Sequence, residues 1–332
     1  MESVMKQYRI AILGKWETYP SYFLLGSLQG IFLNGGLARP VSLEKNNMNE
    51  VLEQLDFFKP HAILTHTIFD NKPHRNQLFN ILRTFKKKGV KVFYHAGDAR
   101  TEPRYNGPIN DFIDCVLLNH WPMLPNYQVW KVPCVHWPYM ALNQDEIASP
   151  TPLYKCDLAF TGSLSNNQHH APRAQFIQRL VAIFQDTNKT LKVFPTPESG
   201  NTRFQSPELS ASAGAVLGFQ MGLDIPGYQD VRPYQYIGAG AFYMHDKHPS
   251  MDLIFQDGIH YTSFKRDDAE DFHKKWLYYN KNVDKYNKIK QDGFKYCQRY
   301  HSSKERIKQV INIIEGKEYK IEYGNQKLKG QE

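Results

Sequence analysis

Arg232 heads the stretch Asp230 to Asp246, DVRPYQYIGAGAFYMHD. A guanidinium there, beside the free N–H groups that open a helical turn, has the chemistry to hold a phosphate. Gly238-Ala239-Gly240 closes the turn and the apolar run Ala241 to Met244 follows, so the local reading is helix, glycine stop, buried strand. A second polar set, Thr161-Gly162-Ser163, ends an apolar strand. Gly162 lets backbone come close to a ligand, and the hydroxyls of Thr161 and Ser163 suit phosphate oxygens. Arg173, near the start of the next helix, and Gln220, after the strand AVLGF, face the same edge. The bland alternative for each is a polar cap on a helix or strand end.

The first half offers a different chemistry. Polar residues leave apolar strands at Lys15 and Glu17, His66, Asp98 and Asn119-His120. Ligands of open parallel sheets sit at such carboxyl ends. A group that takes a proton from an attacking hydroxyl belongs there. Asp98, between Gly97 and Arg100, is the first candidate base, with Glu17 and His66 behind it. Asp98 as a turn or capping aspartate and His66 as a structural strand-end histidine are the competing readings. Trp16 is a core lid or a stacking platform.

These residues need an alternating α/β scaffold. Strands are expected at Arg9 to Leu13, Ala62 to Thr65, Val90 to Tyr94, Asp114 to Leu118 and Val129 to Val135, with helices at Tyr22 to Leu33, Met48 to Phe58 and Asn76 to Lys87. A polar, proline-containing linker at Asn143 to Pro152 precedes a second alternation. It runs through strands Asp157 to Phe160, Leu191 to Phe194 and Ala215 to Phe219, with a helix at Ala174 to Gln185. Helices follow at Asp268 to Asn280, Val283 to Tyr300 and Ser303 to Ile314. The fold class expected is α/β, two Rossmann-like domains with a cleft between them: 1–142, 143–315 and a charged tail 316–332. No GxGxxG follows the first strand, which argues against a dinucleotide-dependent dehydrogenase.

The order Arg232, any residue, Tyr234, Gln235, then small residues, glycine and a hydrophobic strand resembles the signature of GT-B glycosyltransferases, most of all the spore-protein and glycosyltransferase-like group. That group carries an Arg-x-Phe/Tyr-Glu motif against the nucleotide sugar. Gln235 stands where Glu is usual; it keeps one acceptor oxygen and loses the charge. The resemblance covers roughly Asp157 to Ile314. It implies a donor site of Arg232, Tyr234, Gln235 and Gly238 with the Gly162-Ser163 turn, and a last helix that crosses back to the first domain. It also implies transfer of a sugar from a nucleoside diphosphate, a UDP-sugar as donor substrate with no permanently bound cofactor, to an acceptor hydroxyl. The group includes phage enzymes that glycosylate 5-hydroxymethylcytosine, so duplex DNA is one acceptor. A cell-surface or spore glycan or a protein is another, and a non-catalytic nucleotide- or nucleic-acid-binding GT-B-like protein is the rival from outside enzymes.

Composition sets the outer bounds. Hydrophobic residues make up 41% of 332, enough for two cores. Residues 265–332 hold 17 Lys/Arg against 11 Asp/Glu, within a net charge of +8. That is a solvated helical surface or a face for an anionic polymer. No run of 18 apolar residues is present and the N-terminus lacks signal-peptide organisation, so a cytoplasmic location is expected. Cys115, Cys134, Cys156 and Cys297 are widely spaced and read as reduced thiols. His169-His170 and His245-x-x-His248 lack partner motifs, and no DxD occurs, which favours a metal-independent reaction.

Overall fold

Strands that read as unbroken apolar runs are those covered on both faces, as a parallel sheet between helical layers requires. The computed structural model describes residues 7–16, 22–44, 47–66, 68–70, 74–97, 103, 105, 107–162, 164, 171–194, 206–220 and 229–317. They form two compact units, one built from the residues up to Asn143 together with those from Ser303, the other from Gln144 to Ser302.

The first unit contains β1 (Arg9–Gly14), α1 (Tyr22–Leu33), β2 (Leu37–Ser42), α2 (Met48–Phe58), β3 (Ala62–His66), α3 (Arg75–Lys87), β4 (Lys91–Ala96), β5 (Cys115–Leu118) and β6 (Cys134–His136). The sheet is parallel throughout, in the order β2-β1-β3-β4-β5-β6. Alternation along β1 divides the core. Ala11 and Leu13 join one cluster with Val51 and Leu55 of α2 and Leu78 and Leu82 of α3; Ile10 and Ile12 join another with Phe23 and Ile31 of α1. Asn47 caps α2 through a reciprocal capping box with Glu50.

The second unit contains β7 (Cys156–Thr161), α4 (Ala171–Asp186), β8 (Leu191–Phe194), α5 (Ser206–Ser212), β9 (Ala213–Gly218), α6 (Arg232–Ile237), β10 (Tyr243–Asp246), β11 (Thr262–Phe264), α7 (Ala269–Lys281) and α8 (Val283–Tyr300). Its sheet is also parallel, ordered β11-β10-β9-β7-β8. The last helix, α9 (Ser303–Ile314), belongs to the first unit. Ile307 and Val310 complete the cluster under α1, and the Trp137 indole donates to the Arg306 carbonyl (3.2 Å).

Two expected strands are corrected. Val129 to Val135 is not a strand: residues 121–130 form turns of 3₁₀ helix and pairing is confined to Cys134–His136, because prolines 122, 125 and 133 interrupt the segment. The strand read at Ala241 to Met244 lies two residues later, at Tyr243–Asp246, so it carries His245 and Asp246 into the sheet. Three elements had no apolar signal to announce them. β2 is an edge strand with Pro40 in it, while α5 and β11 are short and rich in Ser and Thr.

Candidate functional site

Two adjacent strands of the second unit, β7 and β9, end beside the first turn of α6. Arg232, the first residue of α6, reaches across both. Its Nη1 donates to the Thr161 carbonyl at 3.5 Å and its Nη2 to the Phe219 carbonyl at 3.3 Å. Asp230 grips the other side of the guanidinium, accepting from Nε at 2.8 Å and from Nη2, and also takes the Arg232 backbone N–H at 2.9 Å. Burial pushes the Asp230 carboxyl up, but the guanidinium and its hydrogen bonds outweigh this and hold it below its usual value. The arginine is thus preorganised, with a carboxylate on one edge and two carbonyls on the other.

Gly162 follows at φ +148°, a conformation that favours glycine, and a Cβ there would lie 3.4 Å from Arg232 Nη1. Any side chain at this position would stand between the backbone and the guanidinium. Arg173, third in α4 and buried, sets its guanidinium carbon 5.4 Å from the centre of the Phe160 ring. The Gln220 peptide is clamped at both ends: its N–H donates to Asp246 Oδ1 at 2.8 Å and its carbonyl accepts from Arg266 Nη2 at 3.1 Å. Asp246 and Arg266 are themselves paired at 2.6 Å, and the Arg266 guanidinium packs 4.8 Å from the Phe219 ring centre. This clamp fixes the backbone whose Phe219 carbonyl receives Arg232.

Other candidates are placed differently. The Thr161 hydroxyl turns inward, where it accepts from Tyr236 Oη at 2.7 Å, so its main-chain carbonyl rather than its hydroxyl faces Arg232. Tyr234 is buried in the second unit. Its hydroxyl donates to Gln229 at 2.6 Å while its ring packs edge-on against Phe255 and His301. Gln235 is buried on the same short helix, and its N–H donates to the Val231 carbonyl at 3.0 Å. Gly238 lies at the opposite end of α6 from Arg232, about 9 Å along the axis at 1.5 Å per residue, and its carbonyl accepts from Gln298. Ser163, Glu17 and Asp98 lie outside the described residues.

His66 ends β3 in the first unit, paired in register with His95 of β4, and the two Nδ1 atoms are 3.3 Å apart. Sequence reasoning missed Asp230, Asp246 and Arg266. The first two bracket the stretch that holds Arg232, so the signal was an aspartate at each end of it; Arg266 left none.

A family model described as "Glycosyl transferase-like" matches residues 166–312, a little under half of the chain. No curated protein matches the sequence. Among solved structures, a glycosyltransferase from Rickettsia africae is similar at 11% identity over 94% of this chain and 98% of its own, with TM-score 0.60. HepE of Anabaena, in complex with UDP-glucose, is similar at 9% identity over 93% of this chain and 100% of its own, with TM-score 0.59. The chain has the GT-B fold. Sucrose-phosphate synthase of Thermosynechococcus elongatus, at 8% identity and TM-score 0.57 over 94% of this chain and 99% of its own, has the same architecture. In this GT-B chain the matched segment takes in α4, α6 and β10, which carry Arg173, Arg232 and Asp246, and β9, which Gln220 follows by two residues. No helix among the described residues is long and apolar enough to cross a membrane.

Proposed function

We propose that the protein is a glycosyltransferase that takes a sugar from a UDP-sugar bound by its second unit and passes it to an acceptor hydroxyl. The observation that carries this is Arg232, held by Asp230 against the ends of β7 and β9 with the Gly162 backbone beside it. A preorganised guanidinium next to a close-approaching backbone is suited to the charge that grows on a departing diphosphate. The family match over this segment and the UDP-glucose held by HepE support the donor class.

In the reaction the acceptor oxygen bonds to the anomeric carbon while the bond from that carbon to the diphosphate oxygen breaks. UDP leaves with the electron pair. The acceptor proton passes to a base in the first unit, for which His66 is a candidate within the described residues and Asp98 and Glu17 are candidates outside them. Arginine and backbone supply the charge stabilisation, so the reaction is proposed to run without a metal. A glycan, a protein and a hydroxymethylated base in DNA each offer a hydroxyl of the kind required.

The test is donor turnover. Wild-type protein should release UDP from a UDP-sugar and be stabilised by UDP, by about 2.7 kcal/mol at a hundred times its dissociation constant. Arg232→Ala should lose both while keeping its far-ultraviolet dichroism. Undiminished turnover in that variant would remove Arg232 from the mechanism, and no response to any nucleoside diphosphate would overturn the donor reading.

A further inference from the structure

Helix α8 carries its cations on one side. Its buried residues, Ile289, Gly293, Phe294 and Cys297, share one face. At 3.6 residues per turn, Lys285, Lys288, Lys295 and Arg299 fall within about 80° of arc on the opposite face, along about 21 Å of axis. Over α7 and α8 together, residues 269–300, eight Lys/Arg stand against four Asp/Glu. Asp292 pairs with Lys288 at 2.7 Å, but Lys281, Lys285, Lys295 and Arg299 have no carboxylate partner among the described residues. Like charges so aligned repel one another, and an anionic surface relieves that repulsion.

The two helices meet at Asn282 in an elbow that is apolar where the cationic stripe begins. Leu277, Tyr278 and Val283 are 37%, 44% and 57% exposed there. Tyr286 Oη donates to the Gly214 carbonyl at 2.7 Å, near the start of β9. That bond sets the elbow at the amino edge of the second sheet, whereas Arg232 lies at the carboxyl edge. Leu153, 67% exposed, precedes β7 at the same amino edge. A nucleic acid would use the cations alone. The aliphatic side chains offer nothing to a phosphate, and the Lys285 ammonium stands 5.2 Å from the centre of the Tyr278 ring, where a base would stack. A bilayer uses the whole surface: aliphatic tips leave water for the acyl boundary, a tyrosine suits headgroup depth, and lysines meet anionic headgroups.

We propose that the α7–α8 elbow and the cationic face of α8 dock on a membrane surface carrying anionic lipid, with Leu277 and Val283 entering the acyl boundary. This docking does not rest on the glycosyl-transfer reading, because it uses none of the donor-site residues. Co-sedimentation of the full chain with vesicles of phosphatidylcholine, with and without phosphatidylglycerol, tests it. Protein should pellet with the anionic vesicles at low salt, stay in solution with phosphatidylcholine alone, and be released at high salt. Each cation near an anionic leaflet strengthens partitioning about fivefold, so Lys281→Gln, Lys285→Gln and Lys295→Gln together should weaken it about a hundredfold. Val283→Ser should weaken it about tenfold by removing an apolar contact. All four positions are exposed, and an unchanged melting temperature shows that the variants fold. No pelleting with the anionic vesicles, equal pelleting of the triple variant, or undiminished binding of Val283→Ser overturns the proposal. So does release of the protein from the vesicles by a short DNA duplex whose binding is indifferent to Val283→Ser, which would assign the face to nucleic acid.

Discussion

Replacing Arg266 by methionine strips the cation from a carboxylate with no exposed surface. Asp246 is 0% exposed, and its partners are the Arg266 guanidinium at 2.6 Å and the Gln220 N–H at 2.8 Å, with His245 Nδ1 3.1 Å from Oδ1. Breaking one side of a buried pair costs about 3–5 kcal/mol, chiefly because the remaining charge is stranded. The Arg266 side chain is 24% exposed, which places this site toward the lower end, near 3 kcal/mol. At roughly 2–4 °C per kcal/mol for a unit of this size, the second unit should melt about 6–12 °C lower. Arg266→Met with Asp246→Asn removes both charges and leaves an amide oxygen to accept the Gln220 N–H. The double variant should therefore be more stable than the Arg266→Met single, down only about 1–2 kcal/mol from wild type. Urea unfolding followed by circular dichroism reads all three proteins. A single variant within about 0.5 kcal/mol of wild type, or a double variant whose loss is the sum of the singles, would refute the clamp as described.

Two further outcomes follow from the same geometry. Gly162→Ala forces a side chain onto a backbone at φ +148° and sets its Cβ 3.0 Å from the Phe160 ring and 3.4 Å from Arg232. It should cost about 1–3 kcal/mol and weaken UDP binding about tenfold, checked by calorimetric titration; an unchanged affinity would separate Gly162 from the donor site. His136, at the end of β6, is pushed from 6.5 to about 3 by burial and by the Arg306 cation, against an opposing bond from the Asn119 backbone. The unfolded chain then takes a proton that the native state refuses, so stability is complete above pH 6.5 and drains away as pH falls toward 3. The slope from this group is up to about 1.4 kcal/mol per pH unit, and His136→Gln should flatten it; identical acid limbs for the two proteins would contradict the assignment.

What the sequence disclosed and what it hid have separate physical causes. Helices α1, α2, α8 and α9 lie where periodicity and breakers put them, because Gly35-Gly36 and Pro60 punctuate the first two and the polar His301-Ser302 separates the others. Strands β1, β3, β4, β5, β7 and β9 were legible as apolar runs for the reason that both faces are buried. β2 was not, because an edge strand carrying Pro40 needs neither alternation nor a continuous apolar run. Within the site, Arg232 was visible as a charge at a helix start, but the direction of its neighbours was not. Thr161 turns its hydroxyl to Tyr236 and Tyr234 turns its own to Gln229, choices set by packing rather than by residue type. The Asp246–Arg266 pair spans 20 residues and different strand ends, so only the sheet order brings it together. His66, His95 and Asn119 were likewise separate polar residues in sequence, and became one row once β3, β4 and β5 took adjacent places.

The most direct measurement of the central claim is diffraction from crystals of the protein soaked with UDP. The diphosphate should lie within hydrogen-bonding distance of Arg232 and against the Gly162 backbone, at the ends of β7 and β9. UDP seated elsewhere, or its absence at saturating concentration with the site open to solvent, would contradict the donor site and with it the proposed reaction.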